Sequence, residues 1–223
     1  MTYVRKICYT KPMIILTSSV ASVAEHMYKN YLATKGYKTI LFIDTAAEIE
    51  IGKVPGDDEW LLNDLQSLID QGYEVDRFSI TGKTQSEIAE QVNSHDIIYM
   101  CGGNTIHLLQ QLRKTDSFNF IKDQVNSGKT YIGTSAGSII AGPKLPIYLE
   151  AAEGITLDNY DAFGFINIII APHWGSDSFR KRYLDERLHK VCYKDQPPFL
   201  LLSDYQYVAV NDDNRMDIIS TRT

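Results

Sequence analysis

The chain has 223 residues, 44% hydrophobic and 22% charged, with a net charge of −6 and three scattered cysteines, Cys8, Cys101 and Cys192. This length can bury a core without disulfides. The acidic balance, with no Lys/Arg cluster, excludes non-specific nucleic-acid binding, and the thiols match no metal-ligand spacing and suit a reducing compartment.

Met13 to Leu16, the first apolar run, is too short for a signal-peptide core or a membrane span. A cytoplasmic protein without a membrane or nucleic-acid partner is therefore expected, as one domain over 1–223 with Met1 to Pro12 as a short tail or a mis-assigned start. Met13 to Thr17 reads as a strand, followed by a helical pattern through Val20, Val23, Met27, Tyr31 and Leu32 that Gly36 stops. Lys38 to Ile43 is a second strand, and Trp60, Leu61, Leu65, Leu68 and Ile69 keep helical spacing up to Gly72. A strand at Tyr73 to Ile80 and a short helix at Ser86 to Val92 lead to Ile97-Ile98-Tyr99-Met100, which has the character of a buried parallel strand. Two helices, Ile106 to Leu112 and Phe118 to Val125, precede a strand at Thr130 to Ile132. Beyond them, Phe165 to Ala171 is the most strongly β run of the chain. Asp177 to Cys192 is helical with an apolar stripe of Phe179, Tyr183, Leu184 and Leu188, Pro198 to Leu202 is extended, and a hairpin turns at Asn211-Asp212-Asp213. This order predicts an α/β fold: a mostly parallel sheet with helices on both faces and an antiparallel addition at the C-terminal end. The working residues of such sheets lie at the carboxyl ends of strands.

Three strand ends carry chemistry. Gly133-Thr134-Ser135-Ala136-Gly137 joins a strand to a helix and matches the G-x-S-x-G nucleophile elbow, where a tight turn exposes the serine. Its bland alternative is a turn with Ser135 as a helix cap. Cys101-Gly102-Gly103-Asn104-Thr105 also joins strand to helix, and its backbone N–H groups can face an anion. Alternatively, the loop needs unusual dihedrals and Asn104 or Thr105 caps the helix. Cys101 precedes the glycines, as a core residue would. Pro172-His173-Trp174 ends the Phe165 to Ala171 run, so His173 is placed as a general base for Ser135. His26, His107 and His189 lie in helical runs and His95 precedes a strand. Glu150, Glu153, Asp158 and Asp161 stand between serine and histidine as candidate acids, and spacing does not choose among them.

The blocks CGGNTIHLLQQL, GTSAGSIIAGP and YDAFGFINIIIAPHW resemble those of the peptidase E (aspartyl dipeptidase) family of serine peptidases, in order and spacing. The resemblance implies a three-layer fold like that of class I glutamine amidotransferases and a Ser-His-acid triad. It places the nucleophile at Ser135, the base at His173, the acid fifteen residues after the serine at Glu150, and the oxyanion-hole amides at Gly103 and Ala136. In aspartyl dipeptidases an arginine on the helix after the histidine loop recognises the substrate's aspartate. Here the register brings Phe179 near that place, with Arg180 and Arg182 beside it and Asn104 as a further substrate-binding candidate. The expected function is hydrolysis of small peptides, dipeptides with N-terminal aspartate foremost, with no metal or cofactor. A homodimer is compatible with the sequence. The rivals are a hydrolase of the same fold acting on other amides or esters, and a non-catalytic binding protein.

Overall fold

The computed structural model describes residues 12–149, 156–191, 196–211 and 215–222. Five strands, β1 (Ile14–Thr17), β2 (Thr39–Ile43), β3 (Glu74–Phe78), β4 (Ile97–Met100) and β5 (Thr130–Thr134), are mutually parallel. The antiparallel pair β8 (Gln206–Val210) and β9 (Met216–Ser220) completes a seven-stranded sheet of order β3-β2-β4-β5-β1-β8-β9. The central strands β1, β4 and β5 are buried at every position, so they read as continuous apolar runs rather than alternating ones. The edge strand β3 carries Glu74, Asp76 and Arg77, which discourage pairing with another chain.

Helix α1 (Ala24–Met27) runs on as a π turn over Tyr28–Leu32 and packs with α2 (Glu59–Ile69). Helices α3 (Gln85–Ser94), α4 (Thr105–Lys114), α5 (Ser117–Asn126) and α6 (Ala136–Ile140) form the second group. Strand order demands this split. Connections β1–β2–β3 run one way across the sheet and β3–β4–β5 the other, and right-handed crossovers then lie on opposite faces. α3 opens with a capping box between Thr84 and Glu87, as its sequence TQSE suits.

The β-rich run Phe165 to Ala171 departs from the expectation. Only its last three residues form a strand, β6 (Ile169–Ala171), which lies outside the main sheet and pairs in parallel with β7 (Phe199–Leu201). The front of the run is held otherwise: the N–H groups of Phe165 and Ile166 donate to the Ala141 carbonyl beyond α6. Phe165 also stacks on Phe163 at 4.9 Å and meets Tyr131 edge-on. Aromatic packing therefore takes residues that β-propensity would have extended. After His173 comes a helical arm of α7 (Asp177–Lys181), a π-helical stretch (Arg182–Arg187) and α8 (Leu188–Val191). Among the described residues, no helix is long and apolar enough to cross a membrane.

Candidate active site

Ser135 sits between β5 and α6 with φ 49° and ψ −104°, a conformation a non-glycine residue holds only when its surroundings impose it. Backbone contact imposes it here. A Cβ on Gly137 would lie 2.1 Å from the Met100 carbonyl oxygen, and one on Gly133 would lie 2.5 Å from the Gly137 carbonyl oxygen. The two motif glycines thus allow α6 to press against β4 and the end of β5. Ser138 fastens the turn: its Oγ donates within reach of the Thr17 and Gly133 carbonyls and accepts the Thr17 N–H at 2.9 Å. The Ser135 N–H donates to the Thr17 carbonyl. Ser135 makes no side-chain cap to α6, so its hydroxyl is left for other partners.

Beside it, the loop after β4 turns through Gly103 at φ 125°, where a Cβ would stand 2.2 Å from the Ala46 carbonyl oxygen. The N–H groups of Gly103 and Ala136 donate to no backbone acceptor among the described residues. Asn104 is buried and its Oδ1 accepts the His107 N–H at 2.8 Å, so its side chain caps α4. Cys101 is fully buried, and loss of solvation pushes its thiol well above the ordinary range, which removes it as a nucleophile.

His173 follows β6 at φ 63°, its N–H donating to Ser18 Oγ, which in turn donates to the Leu202 carbonyl. Its ring joins the site: Nε2 lies 3.0 Å from Ser135 Oγ, and Nδ1 lies 2.7 Å from Oδ1 of Asp204. Both members of the latter pair are largely shielded, with side-chain exposures of 18% and 27%. Glu150 and Glu153 lie outside the described residues. Asp161 is exposed and its backbone bridges to Lys144, while Asp158 is exposed as well. Asp204 lies beyond the stretch between serine and histidine that holds the candidate acids, just after the extended run Pro198 to Leu202, and so at a strand end like the other three. Three of the other histidines are engaged elsewhere, His26 with Tyr207, His95 with Asp76 and His107 with Glu48, while His189 is exposed on the arm.

On the arm, Phe179 stacks on the His173 ring at 4.4 Å. Arg180 and Arg182 are exposed, Arg182 over Phe179. The arginine that turns inward is Arg187, 7% exposed and set against the rings of Tyr148, Phe179 and Tyr183. No carboxylate of the described residues pairs with it.

A final feature lies beneath the site. Asp64 on α2 is 4% exposed, accepts from Tyr99 Oη at 3.0 Å and from the Ala21 N–H, and is raised to about 6 by burial.

The chain as a whole has known relatives. The sequence profile of Peptidase family S51 matches residues 14–218. The chain belongs to that family. An uncharacterized peptidase of Listeria monocytogenes is 31% identical over 172 residues, 75% of this chain and 80% of the relative. One of Pasteurella multocida is 26% identical over 91% of this chain and 95% of its own length. A peptidase E of Shewanella denitrificans is 32% identical over 49% of this chain and 47% of the relative. Among solved structures, a peptidase E protein of Listeria monocytogenes superposes with TM-score 0.80 at 24% identity, over 94% of this chain and 98% of the other, which speaks for the fold. The S51 member described here is a serine-type peptidase, and its activity is the hydrolysis of peptides.

Proposed function

We propose that the protein is a dipeptidase that favours N-terminal aspartate and works through Ser135, His173 and Asp204. The observation that carries this reading is the unbroken chain from Ser135 Oγ to His173 Nε2 (3.0 Å) and from His173 Nδ1 to Asp204 (2.7 Å). Ser135 attacks the scissile carbonyl while His173 Nε2 takes its proton. Asp204 accepts from Nδ1–H, fixing the tautomer and stabilising the imidazolium. The N–H groups of Gly103 and Ala136 hold the oxyanion. The tetrahedral intermediate collapses as His173 returns the proton to the leaving amine, and water, deprotonated by the same histidine, releases the acyl group.

Specificity rests on Arg187. A guanidinium held on aromatic rings, one of which stacks on His173, offers a fixed fork to a carboxylate entering beside the nucleophile. In this reading Arg187, rather than the exposed Arg180 or Arg182, meets the aspartate side chain. Hydrolysis of Xaa-Leu dipeptides (Xaa = Asp, Glu, Asn, Ala, Lys) tests the proposal. Asp-Leu should dominate, and Ser135→Ala should lose roughly 10⁴-fold or more of its turnover. Preference for another Xaa would overturn the specificity. Cleavage of acyl esters without dipeptides would point to the rival hydrolase, and an active Ser135→Ala would overturn the mechanism.

A further inference from the structure

We infer that Trp60 is a specificity residue of this active site, forming an apolar wall for the residue on the leaving side of the scissile bond and selecting a bulky apolar side chain there. The inference rests on the dipeptidase reading above and extends it to the second residue of the substrate.

Three observations converge on Trp60. The first is position. A Cβ built on Gly102 would lie 3.3 Å from Cζ3 of Trp60, 3.3 Å from Cβ of Ser135 and 3.9 Å from its Oγ. The indole edge and the nucleophile therefore both stand against the place a side chain of residue 102 would fill, and the glycine lets them lie close together. The second is exposure. Trp60 is 36% exposed at the start of α2, whereas Leu61 and Leu68 of the same helix are 1% and 0% exposed and supply its core contact. A large aromatic ring left in solvent beside a nucleophile offers apolar area to a ligand.

The third is topology. Strand β5, which carries Ser135, lies between β4 and β1. Gly102 leaves β4, so Trp60 occupies that flank. His173 is tied to Ser18 after β1 on the other flank, with Phe179 stacked on it and Arg187 against Phe179. With the N-terminal aspartate held on the Arg187 flank, a dipeptide crossing Ser135 sets its second side chain toward the indole. Nothing charged is needed there, and apolar contact favours larger side chains.

The test is a series of Asp-Gly, Asp-Ala, Asp-Leu and Asp-Phe with wild type, Trp60→Phe and Trp60→Ala. Wild type should show kcat/KM rising about tenfold from Gly to Leu and Phe. Trp60→Ala should flatten the series, chiefly through KM for the large residues, while Asp-Gly stays within about twofold, and Trp60→Phe should restore most of the gradient. An unchanged Leu-to-Gly ratio in Trp60→Ala, or equal losses on every peptide, would overturn the inference. A parallel arm compares labelling of Ser135 by fluorophosphonates bearing an ethyl or a benzyl group. Trp60→Ala should slow the benzyl reagent selectively. This arm judges Trp60 even if wild type cuts no dipeptide, an outcome that sinks the dipeptide reading alone. If neither reagent labels Ser135, both readings fall.

Discussion

The two halves of the active site are built by opposite means. Around Ser135 backbone lies against backbone: Gly137 against the Met100 carbonyl, Gly133 against the Gly137 carbonyl, and Gly103 against that of Ala46. Around His173 side chains hold the site, with Phe179 stacked on the imidazole and Arg187, on an otherwise largely exposed arm, set against the rings of Phe179, Tyr183 and Tyr148. The serine turn is thus fixed by the sheet itself, whereas the flank of His173, which the proposed reading charges with selectivity, rests on side chains that can change without disturbing that turn.

The most damaging way to break this contrast is Gly137→Ala. Its methyl would meet backbone that cannot swing aside, so a loss of roughly 3 kcal/mol or more is expected together with nearly all activity, read by urea denaturation and Asp-Leu hydrolysis. Asp204→Asn should leave stability nearly intact and lower kcat about 10²- to 10⁴-fold, while Glu150→Gln should lie within a few-fold of wild type. The reverse pattern in steady-state kinetics would return the acid to Glu150. On the arm, Arg187→Met should raise KM for Asp-Leu about ten- to a hundredfold with a smaller change in kcat, and Arg180→Ala should do little.

The last expected effect concerns Asp64 and shows only in the acid range. Its folded pKa, raised to about 6 by burial, lies above that of the unfolded carboxyl. As pH rises from about 4 to 6 the unfolded state gives up this proton first, so stability falls across that window by on the order of 3 kcal/mol and then levels off. Asp64→Asn should flatten this part of a stability-against-pH curve, and a slope unchanged from wild type would assign it to other groups.

What could be read in the sequence follows from where the signals are local. Gly133, Gly137 and Gly103 announce turns that only glycine permits, so the elbow and its neighbouring loop were visible as motifs. The sheet was legible from its buried runs, apart from Phe165 to Ala171, whose front half is claimed by aromatic stacking. Asp204 carries no motif, and reaches His173 only because β7 returns the chain beside β6. Arg187 was hidden by helix geometry. Ordinary periodicity places Tyr183 and Leu184 together on the inner face. The π-helical stretch widens the turn and favours a spacing of four, so Phe179, Tyr183 and Arg187 align while Leu184 is left 50% exposed.

The pairing of β8 with β1 has a kinetic meaning. Ile14 faces Val210 across this ladder, so two segments from far apart in the chain must meet before the sheet is complete. Asp204 enters the site on the turn that leads into β8. Contacts of such sequence separation form slowly, and the elbow depends on them too, because Ser135 and Ser138 are tied to Thr17 on β1. A refolding molecule would therefore complete both the serine turn and the histidine–aspartate contact only once β1 is paired on its two edges, and recovery of activity would lag behind recovery of secondary structure.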